Sequence, residues 1–102
     1  MDRIQFLHSI NHVNNTTVID ILMHFFDYFM IAYNLAANTI AVNLLRPDHN
    51  NITFQLCYST KQSAEDSYFK LLNTPVIQIY EKLYTLQVDV VDDCTINVII
   101  SR

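Results

Sequence analysis

One hundred and two residues, 51% of them apolar and including six Phe and six Tyr, suffice for one domain with its own core but not for two. Only 16% are charged, and ten Asp and Glu against six Lys and Arg leave a net charge of −4. The basic residues stand singly at Arg3, Arg46, Lys61, Lys70, Lys82 and Arg102, which argues against nucleic acid as a partner because that affinity comes from clustered phosphate neutralisation. The chain has no glycine, which excludes the glycine-rich loops that cradle phosphates and dinucleotides.

These totals carry two expectations. A surface so poor in charge is expected to hide apolar area in a partner or in a second copy, giving a homodimer. Without glycine, left-handed backbone positions should fall to asparagine or aspartate, and Asn38, Asn50, Asn51, Asn73 and Asp93 stand where the chain must reverse. Cys57 and Cys94 lack C-x-x-C spacing and read as two free thiols or as one disulfide.

In chain order, Ile4, Phe6 and His8 alternate with Gln5 and Leu7, which predicts a strand over Arg3–Ser9. A helix there would instead place His8 and His12 on one face. Neither reading supplies a secretory leader, so an intracellular location is expected and the sequons at Asn14, Asn15 and Asn51 carry no weight. The apolar run Val18–Ala37 contains Asp20, His24 and Asp27. A mid-bilayer Asp costs roughly 2.5–3.5 kcal/mol, so a buried helix is expected and a membrane partner is not.

Thr16 or Thr17 is expected to cap that helix, with Asp20, His24 and Asp27 as its solvated stripe and Ile19, Leu22, Phe26 and Phe29 on its packed side. Residues 29–35 fit either helix or strand. Thr39–Arg46 reads as a strand, Pro47–Asn51 as a loop, and Ile52, Phe54, Leu56 and Tyr58 as the inward face of a half-buried strand. Ser63 with Asp66 predicts a helix start, and Thr74-Pro75 predicts another with Val76, Ile79, Tyr80 and Leu83 on its apolar side. Leu86, Val88 and Val90 then alternate in a strand, Asp92-Asp93 turns the chain, and Thr95–Ser101 pairs back.

The two halves resemble one another. Thr39-Ile40-Ala41-Val42 and Thr95-Ile96-Asn97-Val98 match at a spacing of 56 residues and both runs end in arginine, at Arg46 and Arg102. Ile4 and Phe6 match Ile52 and Phe54 at a spacing of 48, so the second half is eight residues longer in its middle. The expected fold is therefore α+β in one domain: two β-α-β-β motifs, about 1–46 and about 51–102, packed as a pseudo-two-fold pair with a cleft between them.

With its length, this duplicated Thr-Ile-x-Val pattern resembles the small proteins of filamentous viruses that infect hyperthermophilic archaea of the genus Acidianus. The resemblance covers the whole chain in outline. It implies a two-motif α+β protein of the host cytoplasm, of unknown function and with no enzymatic role assigned.

Catalytic and metal-binding patterns are sparse. His8, His12, His24 and His49 form no ligand cluster with Cys or carboxylates, and Asp89, Asp92 and Asp93 lack the glycine and terminal Glu of a calcium loop. No cofactor, metal or catalytic residue is expected. The six tyrosines suit interface contacts, since their rings are amphipathic and rigid. Tyr28, Tyr33, Tyr80 and Tyr84 are the expected partner-binding residues, in a protein–protein interaction module that holds a peptide in the inter-motif groove. The alternative is a small hydrolase or transferase using His24, His49, Cys57 and Asp89 in the same cleft. A self-associating assembly protein is a third reading.

Overall fold

The structure, a computed structural model, describes all residues from Met1 to Arg102. Its sheet is built on β2 (Asn51–Tyr58), where Ile52, Phe54, Leu56 and Tyr58 are buried and the residues between them half-buried, as the period of two requires. Antiparallel neighbours lie on both sides, β1 (Thr39–Asp48) on one and β5 (Thr95–Ser101) on the other. Next come β4 (Lys82–Asp92) and the short edge strand β3 (Val76–Ile79), giving the order β1-β2-β5-β4-β3.

Three helices, α1 (Arg3–Ile10), α2 (Thr16–Phe25) and α3 (Lys61–Leu72), pack on the face that carries Phe54, Leu56, Val98 and Leu86. Phe25 of α2 meets Phe54 edge-on at 5.4 Å, and Phe6 of α1 stacks on Phe26 at 4.6 Å. The opposite face carries Thr53, Gln55, Cys57, Thr95, Asn97 and Ile99, none fully buried, as expected where no helix covers it. The fold is α+β, and no helix is long and apolar enough to cross a membrane.

The pseudo-two-fold pair of β-α-β-β motifs is not confirmed. Residues 1–46 supply two helices and one strand. The expected strand at Arg3–Ser9 is α1: Asp2 accepts a hydrogen bond from the Gln5 N–H while the Gln5 side chain accepts one from the Asp2 N–H, a capping box. Phe6 and Ile10, four apart, are its buried residues. Residues 29–35 are not a strand either. Phe26–Met30 is a π-helical turn, closed by the Ile31 N–H donating to the Phe26 carbonyl at 2.9 Å.

The two Thr-Ile-x-Val strands do both flank β2, but their matched residues play different parts. Thr39 pairs with Tyr58 and Ala41 with Cys57, so Ile40 is the extra residue of a bulge and is 63% exposed. Its counterpart Ile96 pairs in register with Leu56 and is 1% exposed. A second bulge places Leu45 outside in the same way. Both irregularities fall on an edge strand, where they discourage further pairing.

Other boundaries move for local reasons. Asn15, not Thr16 or Thr17, caps α2, accepting from the Thr17 and Val18 N–H groups. Thr60 caps α3 three residues before Ser63, accepting from the Ser63 N–H. The expected helix after Thr74-Pro75 is the β3–β4 hairpin, because Val76–Ile79 pairs with Lys82–Thr85. The positive-φ residues are Asn34 and Tyr80, none of the five expected. Aspartate side chains do the turning elsewhere: Asp48 accepts from the Asn50 N–H and Asp92 from the Cys94 N–H, both at 2.9 Å.

Below the sheet, Tyr58 sets a testable pH limit. Burial pushes its phenol above the ordinary value of 10.0, while the neighbouring Ser67 and Thr39 hydroxyls offset part of that rise. Neither the Tyr58 hydroxyl nor Ser67 Oγ closes a hydrogen bond, and Thr39 Oγ1 donates instead to the Leu35 carbonyl. Above pH 10.0 the unfolded chain binds fewer protons here than the folded one, so stability falls as pH rises through the raised folded value. Tyr58→Phe is expected to change stability by under about 1 kcal/mol at pH 7, since the hydroxyl it removes is unpaired. It should flatten the alkaline loss relative to the parent in urea melts across that range. An equal alkaline loss in both proteins would show that Tyr58 is not its source.

Candidate functional site

The solvated stripe of α2 becomes one wall of a groove. Asp20 and His24 lie on α2, and Asp27 and Tyr28 follow on the π-helical turn. The extra residue in that turn resets which side chains point outward, and π-turns of this kind are frequent at functional sites. The β3–β4 hairpin, through Gln78 and Tyr80, forms the other wall, and Arg3 of α1 closes one end. The groove is open to solvent and has a volume of about 770 Å³. It adjoins a second hollow of about 530 Å³ that shares Asp20 and Tyr80 and is lined in part by Tyr84 and Glu81.

Aromatic rings meet across the groove. The His24 imidazole lies 4.4 Å from the Tyr28 ring and 5.7 Å from the Tyr80 ring, measured between centroids. Tyr28 is 69% exposed and Tyr80 71%, so both rings keep a free face. Tyr80 has φ 56° in the two-residue loop between β3 and β4, a left-handed position that suits glycine in hairpins and is strained for a bulky side chain. The two-residue loop demands such a backbone, and it sets the Tyr80 ring beside the groove.

Charges on the walls are only partly balanced. Arg3 Nε donates to Asp27 Oδ1 at 3.2 Å and to Oδ2 at 3.3 Å. The chain's one other ion pair, Arg46 with Asp48, lies on β1, so Asp20 faces the groove without a cationic partner.

The edge of β3 adds main-chain groups. The Leu86 N–H donates to the Pro75 carbonyl at 2.9 Å, which makes that pair a hydrogen-bonded one. By the alternation of antiparallel ladders, the N–H and C=O of Val76 and Gln78 then face away from β4, toward the open edge. Only four residues long, this edge is exposed but short.

Of the four tyrosines expected to contact a partner, Tyr28 and Tyr80 meet at the groove, and Tyr84, 4% exposed, lies in the floor of the adjoining hollow. Tyr33 lies apart, beneath Lys70 of α3, whose ammonium is 5.1 Å from the ring centroid. Residues of the alternative enzymatic reading are dispersed: His24 is on α2, His49 in the β1–β2 turn, and Cys57 and Asp89 are on the helix-free face. His, Cys, Asp and Glu nowhere gather in threes as a metal would need, and both thiols are free. Sequence reading named neither Arg3 nor Asp20 as site residues, although the Asp20–His24–Asp27 stripe was the available sign.

Comparison with family models, curated proteins and solved structures finds no match to this chain.

Proposed function

We propose that this protein is a non-enzymatic interaction module that binds an extended peptide segment of a partner protein. The segment lies between the α1–α2 layer of the first half and the β3–β4 hairpin of the second. Its backbone pairs with the outward groups of Val76 and Gln78, and its side chains pack on Tyr28 and Tyr80. Strand addition of this kind takes affinity from main-chain bonds and specificity from pockets for alternate side chains. The observation that carries the reading is the convergence of two highly exposed tyrosines, one of them backbone-strained, on a groove beside an unpaired strand edge.

Selection from a random-peptide display library, followed by calorimetric titration of the recovered peptides, tests it. Tyr28→Ala is expected to weaken binding roughly tenfold or more, the scale of an aromatic hot spot. Tyr33→Ala, outside the groove, should leave affinity within about twofold. Peptides that bind the Tyr28→Ala variant as tightly as the parent would remove the groove from consideration.

A further inference from the structure

We propose that the segment bound in this groove is basic, and that its key side chain is an arginine held by Asp20 and the exposed face of Tyr80. This rests on the groove being the peptide site and names the chemistry it selects.

Charge complementarity is the first ground. Asp20 and Asp27 line the groove, whose one cation, Arg3, is already committed to Asp27, while in the hollow beside it Glu81 and Lys82 offset one another. An incoming cation thus meets the unpaired Asp20 carboxylate, on a protein whose net charge of −4 attracts it from a distance. The second ground is the Tyr80 ring, which lines both the groove and the adjoining hollow together with Asp20. A cation over a tyrosine face is attracted by the ring quadrupole, and the chain already uses this contact within itself where Lys70 sits over Tyr33.

Arginine fits both features at once. Its planar guanidinium stacks on aromatic faces and donates a fork of N–H groups to a carboxylate, whereas a lysine ammonium is a point charge on a flexible stem.

The test uses capped Thr-Val-X-Val-Thr peptides in which X is arginine, lysine, citrulline or glutamate, titrated against the full chain. Citrulline keeps the shape of arginine and removes its charge. The arginine peptide is expected to bind roughly tenfold or more tightly than the citrulline peptide, the scale of a charge-assisted hydrogen bond. Lysine should fall between them and glutamate below both. Asp20→Asn, at an exposed position where the fold is not at stake, should erase the arginine–citrulline difference with an unchanged melting temperature. Equal affinity for arginine and citrulline, with binding still lost in Tyr28→Ala, would overturn the arginine proposal and leave the peptide groove standing. No binding of any peptide in this series or from the display library would overturn both.

Discussion

Tyr80→Gly is expected to make the protein more stable and at the same time a weaker binder of the proposed peptide. The loop between β3 and β4 has two residues, and its first, Tyr80, has φ 56°. A non-glycine residue in the left-handed region carries a cost of about 1–2 kcal/mol. Glycine removes that cost but returns up to about 1 kcal/mol through its greater freedom in the unfolded chain. The balance favours the variant by about 0.5–1 kcal/mol, or a rise of roughly 2–8 °C in melting temperature for a domain of this size. Binding should fall tenfold or more, because the ring that forms one wall of the groove is gone. Opposite signs in melting temperature and affinity identify Tyr80 as a residue kept for contact at the expense of the fold. A variant that melts lower than the parent would show that the Tyr80 ring stabilises the hairpin more than its backbone strains it. One that binds as tightly would dismiss Tyr80 as a contact.

Phe54→Ala is expected to have the largest effect on folding. Phe54 is fully buried at the middle of β2, opposite Leu44 of β1 and Val98 of β5. Its ring meets Phe25, which stacks in turn on Phe29 at 5.2 Å, so one side chain joins the sheet to the layer that carries the groove wall. Truncating a buried Phe to Ala costs about 3–5 kcal/mol, because lost transfer energy adds to the cavity left behind. Domain stabilities are about 5–15 kcal/mol, so this removes a large share. The melting temperature should fall by at least about 12 °C. Phe69→Ala, at an exposed position of α3, should change stability by under about 0.5 kcal/mol. Similar melting temperatures for the two variants would mean that the Phe25–Phe54 contact does not join the layers.

Where a pattern was local, it could be read without the fold. Alternation of Ile52, Phe54, Leu56 and Tyr58 and of Ile96, Val98 and Ile100 defines β2 and β5, because burial on one face of a sheet imposes a period of two. The Asp20, His24 and Asp27 stripe was legible for the same reason with the helical period. The capping box of Asp2 and Gln5 is equally local, and it, not the alternation of Ile4, Phe6 and His8 on which the strand expectation rested, matches the structure of Arg3–Ile10. For β3, Val76, Ile79, Tyr80 and Leu83 satisfied a helical spacing. Pairing with β4 decided otherwise, and nothing within a window that short contains the partner strand.

The groove belongs to the second kind of information. Composition and periodicity established an acidic, aromatic-rich α+β chain without phosphate-cradling loops, and picked out Tyr28, Tyr33, Tyr80 and Tyr84 by residue type, of which the fold brings Tyr28 and Tyr80 to one groove. Their meeting across His24 depends on α2 packing beside the β3–β4 hairpin, and those elements are about fifty residues apart in the chain. The strained backbone of Tyr80 likewise follows from pairing Ile79 with Lys82, which leaves two residues to reverse the chain whatever their preference. Propensity acts between near neighbours, while the sheet edge and the placing of Asp20 opposite the β3–β4 hairpin are set by contacts between distant segments. The tertiary structure alone could bring them to one place.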